Sequence, residues 1–127
     1  MFLGLRTIIY PTADLDASKD WFTRLLGVDP YFDQPFYVGY SVAGYELALD
    51  PNGALDRGPI TFWGVRDCDE AWSWLIDAGA APREPVREVG GSIRVATVVE
   101  PSGSVIGVIE NPHFELPAEP VSAGPRR

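Results

Sequence analysis

The sequence predicts an α+β fold in which one structural unit occurs twice. A strand, an aspartate and a helix-like run appear in both halves of the 127-residue chain, and a constant offset superposes Asp14 on Asp67. Strand-like segments follow each helix, so each unit is a βαβ(β)β arrangement. We expect one domain over residues 1–112, with a first module over about 4–50 and a second over about 58–112.

The first module begins with a strand and a capped helix. Residues 5–11 are rich in β-branched and aromatic side chains, which favour strands. Asp14 or Asp16 can cap the helix that follows, because a short carboxylate accepts hydrogen bonds from free backbone N–H groups. The apolar residues then recur at helical spacing, and Gly27 is expected to end the helix in a left-handed conformation.

The second module is predicted to repeat this order. Residues 59–65 match the first strand, and a helix is expected from about Asp69 to Ala78. From Asn111 onward prolines are scattered among polar residues, so residues 113–127 are predicted to form an irregular tail.

Each module is predicted to end in a β-hairpin. The first hairpin pairs residues 36–42 with 45–49, and the second pairs residues 92–99 with 104–110. Proline and glycine in the second turn suit the backbone angles of a tight reversal. The side chains of each strand alternate between two faces, so one face of each hairpin is available to line a site.

Composition excludes some classes of function. The net charge of −8 disfavours nucleic acid and anionic membranes, since both are polyanions that attract basic patches. No apolar stretch reaches the roughly 18 residues needed to span a bilayer. The single cysteine allows no internal disulfide and fits a reducing cytoplasm, which is the expected location.

Several motifs carry a resemblance to a known family. They are Ala13–Phe22, the helix end Leu25–Val28, the segment Val65–Ala71 and the turn Glu100–Gly103. In this order they resemble the vicinal oxygen chelate superfamily, which includes glyoxalase I, extradiol dioxygenases and bleomycin-resistance proteins. The resemblance covers about residues 4–112. It implies paired βαβββ modules that form an open, curved mixed-sheet barrel around a ligand cavity, and it implies a homodimer.

The resemblance also implies where metal ligands would lie in metal-using relatives. The corresponding positions here are Thr7 and Ile60 in the first strands, and Ala48 and Gly107 in the last strands. Three of these side chains have no donor atom, and one hydroxyl is a poor ligand for a transition metal. We therefore expect no metal and no cofactor, although a two-residue shift, which preserves the strand face, could bring Glu46 or Asp50 into such a site.

Strand periodicity places a set of candidate residues on one concave face, with aromatic and polar neighbours around them. The predicted ligand-binding residues are Thr7, Ile9, Tyr37, Tyr40, Glu46, Ala48, Phe62, Arg94 and Gly107. Glu46 is in addition a weak candidate for a general base, since a buried carboxylate has a raised pKa.

These observations support one leading hypothesis and two alternatives. The leading hypothesis is a metal-free small-molecule binding protein that sequesters or senses an aromatic or amphipathic compound. The first alternative is a lyase, isomerase or dioxygenase of the same superfamily with relocated metal ligands or with Glu46 as acid or base. The second is an interaction module, which exposed tryptophans on the helices would indicate.

Overall fold

One eight-stranded sheet with two helices makes up the described part of the protein. The computed structural model describes residues 1–115, and residues 116–127 lie outside the described range. The elements in chain order are β1 (Gly4–Pro11), α1 (Leu15–Leu26), β2 (Phe32–Gln34), β3 (Tyr37–Val42), β4 (Tyr45–Asp50), a 3₁₀ turn (Leu55–Arg57), β5 (Ile60–Gly64), α2 (Cys68–Asp77), β6 (Ala81–Glu88), β7 (Arg94–Val99) and β8 (Val105–Glu110).

The strand order is β2-β3-β4-β1-β5-β8-β7-β6, so the two modules meet edge to edge in one sheet. Each module pairs its first strand parallel to its last, as β1 with β4 and β5 with β8. The two first strands, β1 and β5, pair antiparallel at the centre. The sheet is mixed, curved and not closed, which confirms the predicted α+β class and the pair of βαβββ modules.

Both helices begin and end for the reasons visible in the sequence. Asp14 caps α1 by accepting a 3.0 Å hydrogen bond from the backbone N–H of Ala17, and Asp67 caps α2 through a 3.1 Å bond from Glu70. Gly27 follows α1 with φ of 72°, a left-handed angle that costs glycine little. Within residues 1–115, no helix is long and apolar enough to cross a membrane.

The core lies between the sheet and the helices, in two clusters on the same face. Under α1, Phe22 and Leu26 pack against a cluster of the buried Val38, Tyr40 and Leu49. Under α2, Cys68 and Ala71 of the helix pack against the buried Ala96 of β7, Val108 of β8 and Val65, which follows β5. The opposite, concave face of the sheet is left free of helices.

The two outer strands were not individually predicted. β2 has only three residues, and β6 contains Pro82 and Pro85, which interrupt the usual strand signal. Proline lacks a backbone N–H donor and is tolerated at a sheet edge, where that donor is not needed. Residues 113–115 contain no helix or strand. The remainder of the expected irregular tail lies outside the described residues.

Candidate functional site

The concave face is defined by three register pairs. Thr7 of β1 lies beside Glu46 of β4, and Ile9 lies beside Ala48. At the other module, Phe62 of β5 lies beside Gly107 of β8. Because side chains alternate along a strand, the residues two positions away share this face. Six of the predicted site residues, Thr7, Ile9, Glu46, Ala48, Phe62 and Gly107, therefore belong to the same side of the sheet.

Glu46 is the centre of a hydrogen-bond cluster on this face. Its Oε1 accepts bonds from the Thr7 hydroxyl at 3.1 Å and from the Tyr37 hydroxyl at 2.9 Å. Its Oε2 accepts a bond from the Tyr31 hydroxyl. Gly39 makes room for this carboxylate, since a Cβ at that position would lie 2.7 Å from Oε2. Three neutral hydroxyls, from β1, β3 and the segment before β2, thus hold one carboxylate in place.

The two tyrosines remain donors over a wide pH range. Burial raises the pKa of the Tyr37 hydroxyl strongly, and the neighbouring Glu46 charge raises it further. The pKa of Tyr31 is also raised, because its hydroxyl is partly desolvated and donates to Glu46, although the residue as a whole stays largely exposed. A phenolate beside a carboxylate would place two negative charges together, which is unfavourable at low dielectric. Both hydroxyls therefore stay protonated at neutral pH.

Aromatic rings extend this cluster to the edge of the sheet. The rings of Phe32 and Tyr37 meet edge to face with 6.0 Å between centroids, and Phe32 meets Phe36 at the same distance. Phe36 is 59% exposed and Tyr31 is 63% exposed. Large aromatic side chains that remain open to solvent next to a held carboxylate form a surface suited to a ligand with an apolar body.

At the second module the concave face is filled by a ring. A Cβ at Gly107 would lie 2.8 Å from Cγ of Phe62, so the phenyl ring occupies the space that a larger residue at this position would take. Ala48, the matching position of the first module, is fully buried. Phe62 therefore takes up the space that Gly107 leaves, and Ala48 leaves no opening to solvent.

Two predicted ligand-binding residues lie on the other face, which corrects the expectation for them. Tyr40 is fully buried under α1, and its hydroxyl bonds to Thr23 at 2.8 Å and donates to the Lys19 carbonyl at 2.9 Å. Arg94 forms ion pairs with Asp69 at 2.7 Å and with Glu110 at 3.4 Å. Register explains both results, because each side chain falls on the strand positions that face the helices.

A second polar group lies on the concave side of the second module. Arg83 donates to Glu84 at 2.9 Å and to the buried hydroxyl of Thr97 at 3.2 Å, and Thr97 donates to Glu84 at 3.2 Å. The acid of this module therefore has a cation beside it. Tyr31, Arg83 and Glu84 were not among the predicted site residues. Tyr31 precedes β2, where period-two alternation gives no signal.

The residues at the family's metal positions do not fit a metal ion. Thr7 uses its hydroxyl to bond Glu46, Phe62 covers Gly107, and Ile60 and Ala48 carry no donor atom. Across residues 1–115, no three His, Cys, Asp or Glu side chains lie together in a group able to hold a metal. A bound transition metal usually needs three or four converging donors, and one carboxylate is too few.

Two depressions of the described surface lie elsewhere. One is lined by residues of α1, of the segment before β2 and of β2 itself, including Lys19, Thr23 and Asp33. The other lies beside α2 and includes Met1 and Trp74. Both lie at the surface, and Lys19 and Asp33 form an ion pair at 3.2 Å in the first of them. Neither contains the concave cluster around Glu46.

Solved structures with the same fold come from several bacteria. A glyoxalase/bleomycin resistance protein/dioxygenase superfamily member from Vibrio splendidus 12B01 is 17% identical, with a TM-score of 0.64 over 83% of this chain and 97% of that chain. Methylmalonyl-CoA epimerase from Mycobacterium tuberculosis is 20% identical, with a TM-score of 0.67 over 85% and 87%. Methylmalonyl-CoA epimerase from Streptomyces coelicolor, in complex with 2-nitronate-propionyl-CoA, is 15% identical, with a TM-score of 0.70 over 92% and 100%.

At these identities the structural likeness establishes the shared fold. No curated protein matches the sequence. The sequence model of one family, described as Glyoxalase/Bleomycin resistance protein/Dioxygenase superfamily, matches residues 4–108. That span includes every helix of the described chain and all but the last two residues of β8. The chain therefore belongs to the Glyoxalase/Bleomycin resistance protein/Dioxygenase superfamily.

Proposed function

We propose that this protein binds an aromatic or amphipathic small molecule on its concave face, without a resident metal, and thereby sequesters or senses that compound. The observation that supports this function is the arrangement around Glu46. A single carboxylate held by three hydroxyls lies next to solvent-open aromatic rings. Rings supply apolar area and stacking, and the carboxylate supplies one oriented polar contact, which is the usual composition of a small-molecule site.

In this proposal the ligand-binding residues form one connected surface. It contains Thr7, Tyr31, Phe32, Tyr37 and Glu46. Ile9, Ala48, Phe62 and Gly107 form the adjoining floor of the concave face. The apolar body of a ligand would lie across the exposed rings, with its polar end at Glu46.

The first test is a thermal-shift screen of small molecules, with and without added chelator. A ligand that binds only the folded state raises the melting temperature by mass action. We expect hits among aromatic amphiphiles, unchanged by the chelator and weakened in a Tyr37→Phe variant. A Tyr45→Phe variant serves as the matched control, because Tyr45 packs against Phe114 and lies outside this surface. A melting temperature that responds to divalent metals alone would contradict the proposal.

A second candidate function is proton transfer by Glu46, as in an isomerase. The methylmalonyl-CoA epimerases among the structural neighbours favour testing it. Catalysis would require the Glu46 carboxylate, which in the free protein accepts three hydrogen bonds, to take a proton from a substrate as well. Solvent deuterium incorporated into methylmalonyl-CoA, and lost in a Glu46→Gln variant, would support catalysis over simple binding.

The location and assembly are part of the same proposal. We propose a cytoplasmic protein, on the basis of one buried, unpaired cysteine, and a homodimer, on the basis of the superfamily. Exposed Trp21 and Leu25 on α1 offer apolar area for contact between chains. Light scattering coupled to size-exclusion chromatography tests the dimer, since a mass near the 13.9 kDa of one chain would exclude it.

A further inference from the structure

We propose that the ligand of the Glu46 surface is an organic cation, an ammonium group carried on an aromatic or aliphatic body. This inference rests on the proposed function and narrows its ligand to one chemical class. The ammonium would contact the Glu46 carboxylate, and its substituents would lie against the rings of Tyr31, Phe32 and Tyr37. Among residues 1–115, the Glu46 carboxylate forms no ion pair.

Glu46 is a partly buried carboxylate without a cationic neighbour. The described residues contain four ion pairs, and none of them includes Glu46. Its three partners are neutral hydroxyls, two of which have a raised pKa and so stay neutral. Burying a charge costs free energy unless an opposite charge or enough hydrogen bonds compensate for it. The three hydroxyls supply the hydrogen bonds, and a cation from outside the chain would supply the opposite charge.

The second module provides an internal comparison. Its concave carboxylate, Glu84, has the Arg83 guanidinium at 2.9 Å and shares the Thr97 hydroxyl with it. Glu46 likewise has its hydroxyls, yet in the described chain it has no guanidinium or ammonium in the equivalent role. Glu84 lies in β6 and Glu46 in β4, so they are not matching positions of the two modules, but both are carboxylates of the concave face. A ligand cation would give Glu46 the kind of pairing that Glu84 already has.

Arg6 is the basic residue of β1 on this side of the sheet, and it is engaged elsewhere. Its guanidinium lies against Gly64 and over the Phe114 ring, with 3.8 Å from Cζ to the ring centroid, and it donates to the Leu5 carbonyl. Its contacts lead toward β5 and Phe114. The cation–π contact with Phe114 gives it a position of its own, away from the Glu46 oxygens.

The rings beside Glu46 favour the same class of ligand. The face of an aromatic ring carries negative charge density, so it attracts a cation but not an anion. Tyr31 and Phe36 are largely exposed, and Phe32 connects Phe36 to Tyr37 through edge-to-face contacts. The net charge of −8 adds a long-range attraction for cations, which salt reduces.

The test compares three probes of similar size that differ in charge. Benzylammonium, benzyl alcohol and benzoate are titrated into the ¹⁵N-labelled full chain, and the amide shifts of Tyr37, Gly39 and Glu46 are followed. We expect benzylammonium to bind about tenfold more tightly than benzyl alcohol, as one charge-assisted hydrogen bond implies, and benzoate to bind least. Benzyltrimethylammonium should also bind more tightly than benzyl alcohol, because its attraction to the rings needs no N–H donor.

Two variants test whether Glu46 causes the preference for the cationic probe. In Glu46→Gln the amide oxygen can still accept hydrogen bonds, but the charge is gone, so the tenfold preference should disappear. In Glu84→Gln, the matched control in the second module, the preference should remain. Raising the salt concentration should weaken the binding of benzylammonium and leave the binding of benzyl alcohol unchanged. If Glu46→Gln does not fold, the probe and salt series on the unmodified chain still decides the question.

The outcomes separate this inference from the proposed function. Equal binding of benzyl alcohol and benzylammonium at these amides would overturn the cation inference and leave small-molecule binding supported. A cation preference that survives in Glu46→Gln, or shifts confined to the amides around Asp69, Glu70 and Asp77 of α2, would also overturn it. No response of the concave amides to any probe would contradict both proposals.

Discussion

The Tyr37 hydroxyl lies 2.9 Å from Oε1 of Glu46, and this bond links the first residue of β3 to the second residue of β4. The two residues are not register partners, since Glu46 pairs with Ser41. The Tyr37 side chain extends diagonally across the concave face, and its hydroxyl contacts the Glu46 carboxylate. The bond therefore supports the hairpin and orients the charge of the candidate site with a single contact.

Replacing Tyr37 with phenylalanine should destabilise the protein by about 1–2 kcal/mol, because a hydrogen bond to a charged group is lost while the ring is kept. Chemical denaturation followed by circular dichroism measures the change in the free energy of unfolding. Tyr45→Phe is the control, because no hydrogen bond of its hydroxyl is present among the described residues, and it should change stability by less than about 0.5 kcal/mol. Equal effects of the two variants would show that the Glu46 bond contributes nothing.

Replacing Gly107 with alanine should destabilise the protein by about 1–3 kcal/mol, because the new methyl group would overlap the Phe62 ring. The ring would have to leave its position over β8. In a Phe62→Ala background the same change should cost much less, since the overlapping atoms are absent. A double-mutant cycle by chemical denaturation measures this coupling, and additive effects would contradict the packing described.

Replacing Asp14 or Asp67 with alanine should each cost about 1 kcal/mol of stability, because each carboxylate accepts a hydrogen bond from a free backbone N–H at the start of its helix. Asp16→Ala is the matched control. It also removes a negative charge from the first turn of α1 but breaks no capping bond. A loss for Asp16→Ala as large as for Asp14→Ala would indicate that helix-dipole electrostatics, rather than the cap, provides the stabilisation.

Stability should fall as pH rises between about 9 and 11, partly because of Cys68. Burial raises the pKa of this thiol from its ordinary value of 9.0 to about 11. In that interval the folded chain keeps a proton that the unfolded chain releases, so unfolding becomes easier as pH rises. Across this interval the free energy of unfolding of Cys68→Ala should fall less than that of the unmodified chain, with a difference of about 2 kcal/mol.

The unmodified chain has to be compared with Cys68→Ala because Tyr31 and Tyr37 also have raised pKa values. These tyrosines contribute to the loss of stability at high pH in both proteins. Unfolding free energies at pH 8 and at pH 10.5 supply the measurement. The same burial predicts slow alkylation of Cys68 by iodoacetamide at pH 8 in the folded chain and rapid alkylation after unfolding. Parallel pH profiles for the two proteins would contradict the assignment to Cys68.

Much of the fold follows from short-range patterns. Capping aspartates, apolar residues at helical spacing and tight turns are local features, so the two helices and two hairpins were predictable to within one or two residues. The outer strands were harder. β2 is very short and β6 contains two prolines, and only pairing with β3 and β7 makes them strands.

The candidate site depends on contacts between distant residues. Thr7, Tyr37 and Glu46 were predicted and do meet on one face, whereas Tyr40 and Arg94 face the helices. Tyr31 was missed because it lies outside a strand and reaches Glu46 only through the fold. One residue of register reverses the face of a side chain, and register is set by the partner strand.

By itself the sequence determined the duplicated α+β architecture, the superfamily and the presence of a single hydroxyl, that of Thr7, among the side chains at the family's metal positions. Residue identity and local periodicity are sufficient for each of these. Only the tertiary structure decided that Phe62 fills the space over Gly107 and that Glu46 lies among three hydroxyls with no cation from the described chain. Those relationships join strands far apart in the sequence. They exist only after backbone hydrogen bonding has set which residues lie side by side.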